Sequence, residues 1–395
     1  MDAREMRGIE IAKTSRIRKN EREWIVPSQS GRGKYRVWEN GHGYLCSCPD
    51  CQFRRQKCKH IWAIEHWTTR RVDMNGNETM ESGMRVTYAQ EWPAYNKAQT
   101  SEKPLFMKLL SHLCLQIEQP EYKFGRPKLS LSDMVFASVL KVYTLYSGRR
   151  FIGDLKFAKE NGYLHKLPHY NSVFNYLQKP ELTPILKDLI TKSSSALKSV
   201  ETDFAVDTTG FSTSQFARWY NFRYGKKSDF RIWIKAHLMC GVKTNIVTSA
   251  EVTEGKASDC VQFKGLVSRT AENFEIREVS ADKAYSSRDN NELVAELGGT
   301  PFIPFRSNAS KRPWGSPMWK KMYHFYNLHR EEFLQHYHKR SNVETAVHMI
   351  KSKFGSRLRS KDKTAQINEL LAKVLCHNIC VVIQEMHELG GMPNS

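Results

Sequence analysis

Between Tyr337 and Lys351, four side chains with chemistry to offer, Tyr337, Arg340, Glu344 and Lys351, recur at steps of three, four and seven residues. An α-helix, at 3.6 residues per turn, brings such steps onto one face. Val343, Val347, Ile350 and Phe354 repeat at the same period, offset by about one position, and supply an apolar stripe for packing on a core. The stretch therefore predicts one helix that holds a carboxylate rigidly between cations. An Arg and a Glu four apart are by themselves an ordinary solvated ion pair. Whether this face is a site depends on what else the chain brings to it.

Two further acids fall where strands should end. The alternating run Thr202–Gly210 closes on Asp207, and Ile276–Tyr285 closes on Asp282; each acid is followed by small or turn residues. Thr208, Thr209 and Gly210 read as a tight strand-to-turn transition, and Tyr285 as packing near the second acid.

The set Asp207, Asp282 with Tyr285 three residues on, and Tyr337-x2-Arg340-x3-Glu344-x6-Lys351 resembles the DDE transposases of the insertion-sequence 4 type, over about residues 200–385. The last element matches that family's signature at every position. One departure is Ala284, where the family commonly has glycine between the acid and the aromatic. The resemblance implies an α/β, ribonuclease-H-like catalytic domain in which adjacent strand ends bring Asp207 and Asp282 together and a later helix delivers Glu344. It also implies a DNA transposase that cleaves the ends of its mobile element and joins the 3′-hydroxyl ends to target DNA. Tyr337, Arg340 and Lys351 would then bind backbone phosphates of the element end, Arg340 bidentately. Asp207, Asp282 and Glu344 would be ligands of two Mg2+ or Mn2+ ions, because hard oxygen donors with open positions select those cations and two of them can clamp an in-line phosphoryl displacement.

Charge points to the same partner. Sixty-one Lys plus Arg against forty-one acids gives a formal +20, a field that draws in polyanions. Between Arg306 and Lys363 there are fourteen Lys or Arg and four acids, so about half the excess surrounds the Tyr-Arg-Glu-Lys stretch. The partners expected are double-stranded DNA, both terminal inverted repeats and target, and a second copy of the chain in a dimer or larger synaptic complex, since transposition holds two ends together. Trp314 and Trp319 lie in this basic segment, where they either stack on an unpaired base or simply pack.

Four of the nine cysteines crowd between Cys46 and Cys58, which argues for metal ligation rather than a disulfide framework. Cys46-x-Cys48-x9-Cys58-x-His60 offers three thiolates and an imidazole, a donor set suited to structural Zn2+, and its spacing resembles the SWIM zinc finger. Cys51 is an alternative ligand, because Cys48-x2-Cys51 is itself a zinc spacing. The other five cysteines read as core residues.

These readings divide the chain into a zinc module at 1–70, a linker at 71–103, a helical and DNA-binding segment at 104–200 with an Asn171-capped final helix, the catalytic domain at 201–385 and a tail at 386–395. No run of eighteen apolar residues occurs and the first thirty residues lack an apolar signal core, so the expected setting is cytoplasmic and nucleoid-associated, in a prokaryotic cell, without membrane contact. Two rivals share these residues: a nuclease that stops at hydrolysis, and a catalytically retired transposase kept as a sequence-specific DNA-binding regulator.

Overall fold

The computed structural model describes residues 3–15, 17–19, 23–29, 33–40, 43–54, 56–72, 78–82, 92–121, 124, 129–213, 223, 233–255, 257–310, 312 and 314–389. The chain forms two compact units, Met1–Trp92 and Pro93–Ser395.

In the first unit, strands β1 (Arg18–Lys19), β2 (Glu23–Pro27), β3 (Lys34–Asn40) and β4 (Gly43–Cys46) form an antiparallel sheet in sequential order. Alternation along β2 turns Trp24 and Val26 inward, as a half-buried strand requires. They meet Ile11 from the helix Ala3–Thr14, and Ile61 and Ile64 from the helix Lys59–Trp67. These two helices touch at Gly8, where a Cβ would stand 2.5 Å from Trp62 Cβ, so the crossing requires glycine. The stretch read as a linker at 71–103 carries more structure than its polar composition suggested. Strands β5 (Thr68–Val72) and β6 (Glu78–Ser82) pair antiparallel, and a helix starts at Trp92 and runs to Leu115 with Pro104 inside it.

The second unit is built on a five-stranded sheet of β7 (Asp203–Ser212), β8 (Trp233–Gly241), β9 (Val247–Glu254), β10 (Glu278–Ala281) and β11 (Thr300–Phe302). Their order is β11-β10-β7-β8-β9, with β8 antiparallel to both β7 and β9, and β10 parallel to both β7 and β11. Three meandering strands followed by two parallel ones, with helices on both faces, make the mixed α/β ribonuclease-H-like architecture. On one face, Phe204 and Val206 pack with Phe263 and Leu266 of the helix Asp259–Ala271. On the other, Ala205, Leu238 and Phe211 meet Ile350, Leu375 and Leu186.

That second core corrects the division at residue 200. Phe106, Leu140 and Leu186 from the helices before residue 200 lie in one continuous apolar cluster with the sheet and the C-terminal helices, so the helical segment folds onto the five-stranded sheet instead of standing apart. Its helix Tyr170–Leu177 is capped by His169, whose side chain accepts from Asn171 N, not by Asn171 itself. The helix Lys363–Leu389 has the length and composition of a membrane span, but 89% of that apolar window is buried inside the protein, where it serves as a core helix.

Candidate active site and candidate metal centre

The strand bearing Asp207 does not stop there. β7 continues through Thr208, Thr209 and Gly210 to Ser212, paired throughout with β8. The β-branched threonines extend the strand, and Gly210 marks a close approach, not a turn: a Cβ would lie 3.0 Å from the exposed Trp233 ring. β10 does end where expected. Its last pair is Ala281 with Val206, so Asp282 leaves the sheet beside Asp207, and its carboxylate then caps a short turn by accepting from Lys283 N at 2.7 Å.

Period-two geometry sends the odd residues of β7 toward the helix Ser341–Phe354 and its entry turn. Asp203 Oδ2 accepts from Lys339 Nζ at 2.8 Å, Asp207 Oδ2 from Arg340 Nη1 at 2.7 Å, and Thr209 Oγ1 from Lys351 Nζ at 2.7 Å. The Lys351 ammonium also sits 5.1 Å from the Phe211 ring centroid. Strand and helix thus run side by side, residue against residue.

The single helix expected across Tyr337–Lys351 is interrupted. Arg330–Tyr337 is one helix, His338–Arg340 forms a 3-10 turn, and Ser341–Phe354 is the next helix. The dihedrals stay right-handed through the turn, so Arg340 and Glu344 remain four apart on one face. Arg340 Nη2 donates to Glu344 Oε1 at 2.7 Å while Nη1 holds Asp207. Tyr337 lies with its ring centroid 6.0 Å from the same guanidinium and packs against the Phe302–Phe333 cluster.

Arg340 joins Asp207 and Glu344, Asp282 follows β10 beside Asp207, and the three do not share one ligand point. Among the described residues, only a Cys/His group has metal-ligating atoms that all lie within 4.8 Å of one another. Arg340 spaces Asp207 and Glu344 apart. The acids nevertheless feel one another. Burial, reinforced by the negative charges of Asp282 and Glu344, outweighs the Thr208 N–H and Arg340, and the Asp207 carboxyl sits above its ordinary value. All the donors are carboxylate oxygens, the class that suits Mg2+ or Mn2+. Two of them already grip a cationic group, so the donor set fits divalent metal.

Sequence reasoning missed what surrounds this centre. Lys339 Nζ bridges Asp203 and Glu278 Oε2, the latter at 2.6 Å, tying the entry turn to β7 and β10. Behind Asp207, Thr208 Oγ1 lies 2.8 Å from His237 Nδ1 and 2.7 Å from the Tyr285 hydroxyl, and His237 Nε2 lies 2.7 Å from Thr253 Oγ1. Tyr285 is therefore a buried hydrogen-bonding group as well as packing. Lys339 has a lysine's common place in a basic run, and a buried histidine on a strand carries no motif; pairing across the sheet alone reveals both. Trp319 is 5% exposed and donates Nε1 to Ser310 O at 2.8 Å, which makes it a packing residue, whereas Trp314 is 70% exposed at a φ of 46°.

In the first unit, Cys46, Cys48, Cys58 and His60 are all buried, with their ligand atoms within 4.8 Å of one another. Cys46 Sγ and Cys58 Sγ each stand 3.8 Å from His60 Nδ1. Backbone amides of Cys48 and Cys51 point at Cys46 Sγ and Cys48 Sγ, both at 3.4 Å. The Cys46 thiol beside it and His60, against the effect of burial, pull Cys58 down to about 4. Cys51 stays outside the set, half-buried. Three thiols and one imidazole, one already disposed to ionise, form a soft tetrahedral donor set of the kind zinc takes.

Residues 198–379, from just before β7 into the last helix, match a family model described as "Transposase DDE domain". A solved structure, a piggyBac transposase synaptic complex with hairpin DNA, aligns over 74% of each chain at 10% identity and a TM-score of 0.35. The assignment rests on the domain match together with the sheet order, not on that likeness. Residues 198–379 are the catalytic domain of a DDE transposase, the class of enzyme that moves DNA by cleavage and strand transfer with divalent metal ions.

Proposed function

We propose that this chain, carrying that catalytic domain, is a transposase of the insertion-sequence 4 type with Asp207, Asp282 and Glu344 as its metal ligands. One observation carries the residue assignment: Arg340 bridges Asp207 and Glu344, 2.7 Å to each, beside Asp282. A guanidinium there balances charge that cations balance during catalysis. Mg2+ or Mn2+ held by the carboxylates supplies activation of the attacking oxygen and stabilisation of the leaving oxygen. With Asp207 and Glu344 engaged by metal, Arg340 would be free to grip a backbone phosphate through its planar fork. Lys351, anchored on Thr209, and Tyr337 flank it along the same groove wall.

Two displacements at phosphorus follow. A water oxygen attacks the phosphodiester at the element end and gives up a proton to solvent, the P–O3′ bond breaks, and the departing 3′-oxygen takes up a proton from solvent to leave as a 3′-hydroxyl. That hydroxyl's oxygen next attacks a target phosphodiester, forming one P–O bond and breaking one, so the number of diester bonds is conserved and no external energy source is needed. The DNA partners are the terminal inverted repeats and the target, with two copies of the chain holding two ends. The exposed helices between residues 104 and 200 are the proposed DNA-reading surface, and Cys46, Cys48, Cys58 and His60 bind a structural Zn2+ in a SWIM-type finger. The setting is the cytoplasm, at the nucleoid.

The discriminating experiment incubates the protein with Mn2+, plasmid and a pre-cut duplex ending in the inverted repeat that flanks the coding region. Joined product supports the transposase reading. Hydrolysis without joining supports a nuclease, and metal-independent end binding with neither product supports a retired regulator.

A further inference from the structure

A cavity of about 360 Å3 lies between the helices Leu131–Thr144 and Tyr170–Leu177 and the segment after the helix Ser341–Phe354. Lys141, 8% exposed, lines it. Among the described residues its ammonium has no hydrogen bond and no ion pair; the rings of Phe151 and Phe174 lie 5.9 Å away. Burying an unpaired charge is costly, so this group waits for an anion.

The acids of the cavity are already committed. Glu369 accepts from the backbone of Arg359 at 2.9 Å and Ser360 at 2.8 Å, and Asp362 accepts from Ala365 N at 2.9 Å. Lys373 is likewise used, donating to Gly355 O at 2.9 Å and Arg357 O at 2.6 Å. Arg359, fixed through the Leu145 carbonyl, keeps further donors. Burial and the neighbouring Arg359, against the attraction of Glu369, hold the Lys141 ammonium below the ordinary lysine value, a penalty that a bound anion relieves. Phe174 and Leu145 add an apolar wall. A lone phosphate fills a small part of such a volume; small-molecule sites start at about 300 Å3.

We propose that this cavity binds a nucleotide unit, its phosphate on Lys141 and Arg359 and its base against Phe174 and Leu145. That the nucleotide belongs to the DNA being processed rests on the transposase reading. Ser212, at the end of β7, exchanges hydrogen bonds with the loop that lines the cavity, Ser212 N to Ser356 O at 3.3 Å and Leu358 N to Ser212 O at 2.9 Å. From Asp207 to Ser212 the strand spans about 17 Å, or about five base-pair steps at 3.4 Å each. A free nucleotide is the other source of the same chemistry.

The test measures binding of a 2-aminopurine-labelled single-stranded 12-mer, of dAMP and of inorganic phosphate to the full chain and to its K141M and F174A variants. Removing an unpaired ammonium leaves thermal stability at or above wild type, which a melting curve verifies; F174A, at an exposed ring, is the second probe. Loss of at least tenfold in 12-mer affinity for both variants, with little dAMP binding, supports a DNA nucleotide. Equal losses for dAMP and the 12-mer support the pocket with a free nucleotide as ligand. Unchanged affinities, or phosphate binding as tightly as dAMP, overturn the proposal. The catalytic assignment is read separately, from Mn2+-dependent cleavage of a labelled end duplex by D207N, so failure of the pocket and failure of that assignment are distinguishable.

Discussion

At the scale of single residues, Arg340 sets the behaviour of the site in the free protein. Two hydrogen bonds of 2.7 Å from one guanidinium to Asp207 and Glu344 are geometry that lysine cannot copy. Replacing Asp207, Asp282 or Glu344 by the amide should cost about 1,000-fold or more in Mn2+-dependent strand cleavage, measured on a labelled end duplex, while filter binding of the same duplex stays measurable. Retained cleavage in any one of the three removes that residue from the ligand set. R340K should keep the charge and lose the bridge, and cleavage should drop more than Tyr337→Phe lowers it. The closeness of Asp207 to Asp282 and to Glu344 was legible in outline because two of these acids lie in or next to strand signals and the third on a helical stripe. The roles of Lys339 and His237 were not, because their partners Asp203, Glu278, Thr208 and Thr253 are distant in the chain.

Among the elements, β7 and the turn His338–Arg340 decide how accurately Glu344 is delivered. Burial alone would raise the Asp203 and Glu278 carboxyls, but Arg277 and Lys339 on the first, and His336 and Lys339 on the second, hold both below their ordinary values. Depressed folded-state values mean that the unfolded chain takes up these protons first. The stabilisation is therefore complete above the unfolded carboxylate range, about 4, and is lost as pH falls through the lower folded values. K339M should cost about 1.5–3 kcal/mol at neutral pH and flatten the acid limb of stability below pH ~4, as followed by urea denaturation at several pH values. An unchanged acid limb would show that Lys339 does not link turn and sheet. The strands that lead to Asp207 and Asp282 and the helical stripe Val343–Phe354 were legible from periodicity. The errors were at boundaries: apolar alternation in Thr202–Gly210 continues into β7's far half, and nothing in the local sequence marks the 3-10 turn after Tyr337.

For the whole molecule, two units with different sources of stability share one chain. The Met1–Trp92 core is small and three of its buried members are the cysteines Cys46, Cys48 and Cys58, so metal should be part of its folding energy. Purified chain should hold one Zn2+ by elemental analysis; C58S should lose it and become protease-sensitive within residues 1–92, with the transition of the larger unit unmoved. Zinc retained in C58S would point to Cys51 as a ligand. The cysteine cluster was legible because ligand spacing is local, whereas the merging of the helical segment with the catalytic sheet was not, since Phe106, Leu186 and Ile350 meet only in three dimensions. Joint metal binding by Asp207, Asp282 and Glu344 can be read from cleavage of the chain itself. Fe2+ substituted for Mg2+, with ascorbate and peroxide, cuts backbone next to the ion, and mass spectrometry maps the cuts. Fragments ending near Asp207, Asp282 and Glu344, suppressed by excess Mg2+ and absent in D207N, are the predicted result; cuts confined to the Cys46–His60 region, or insensitive to D207N, would contradict it.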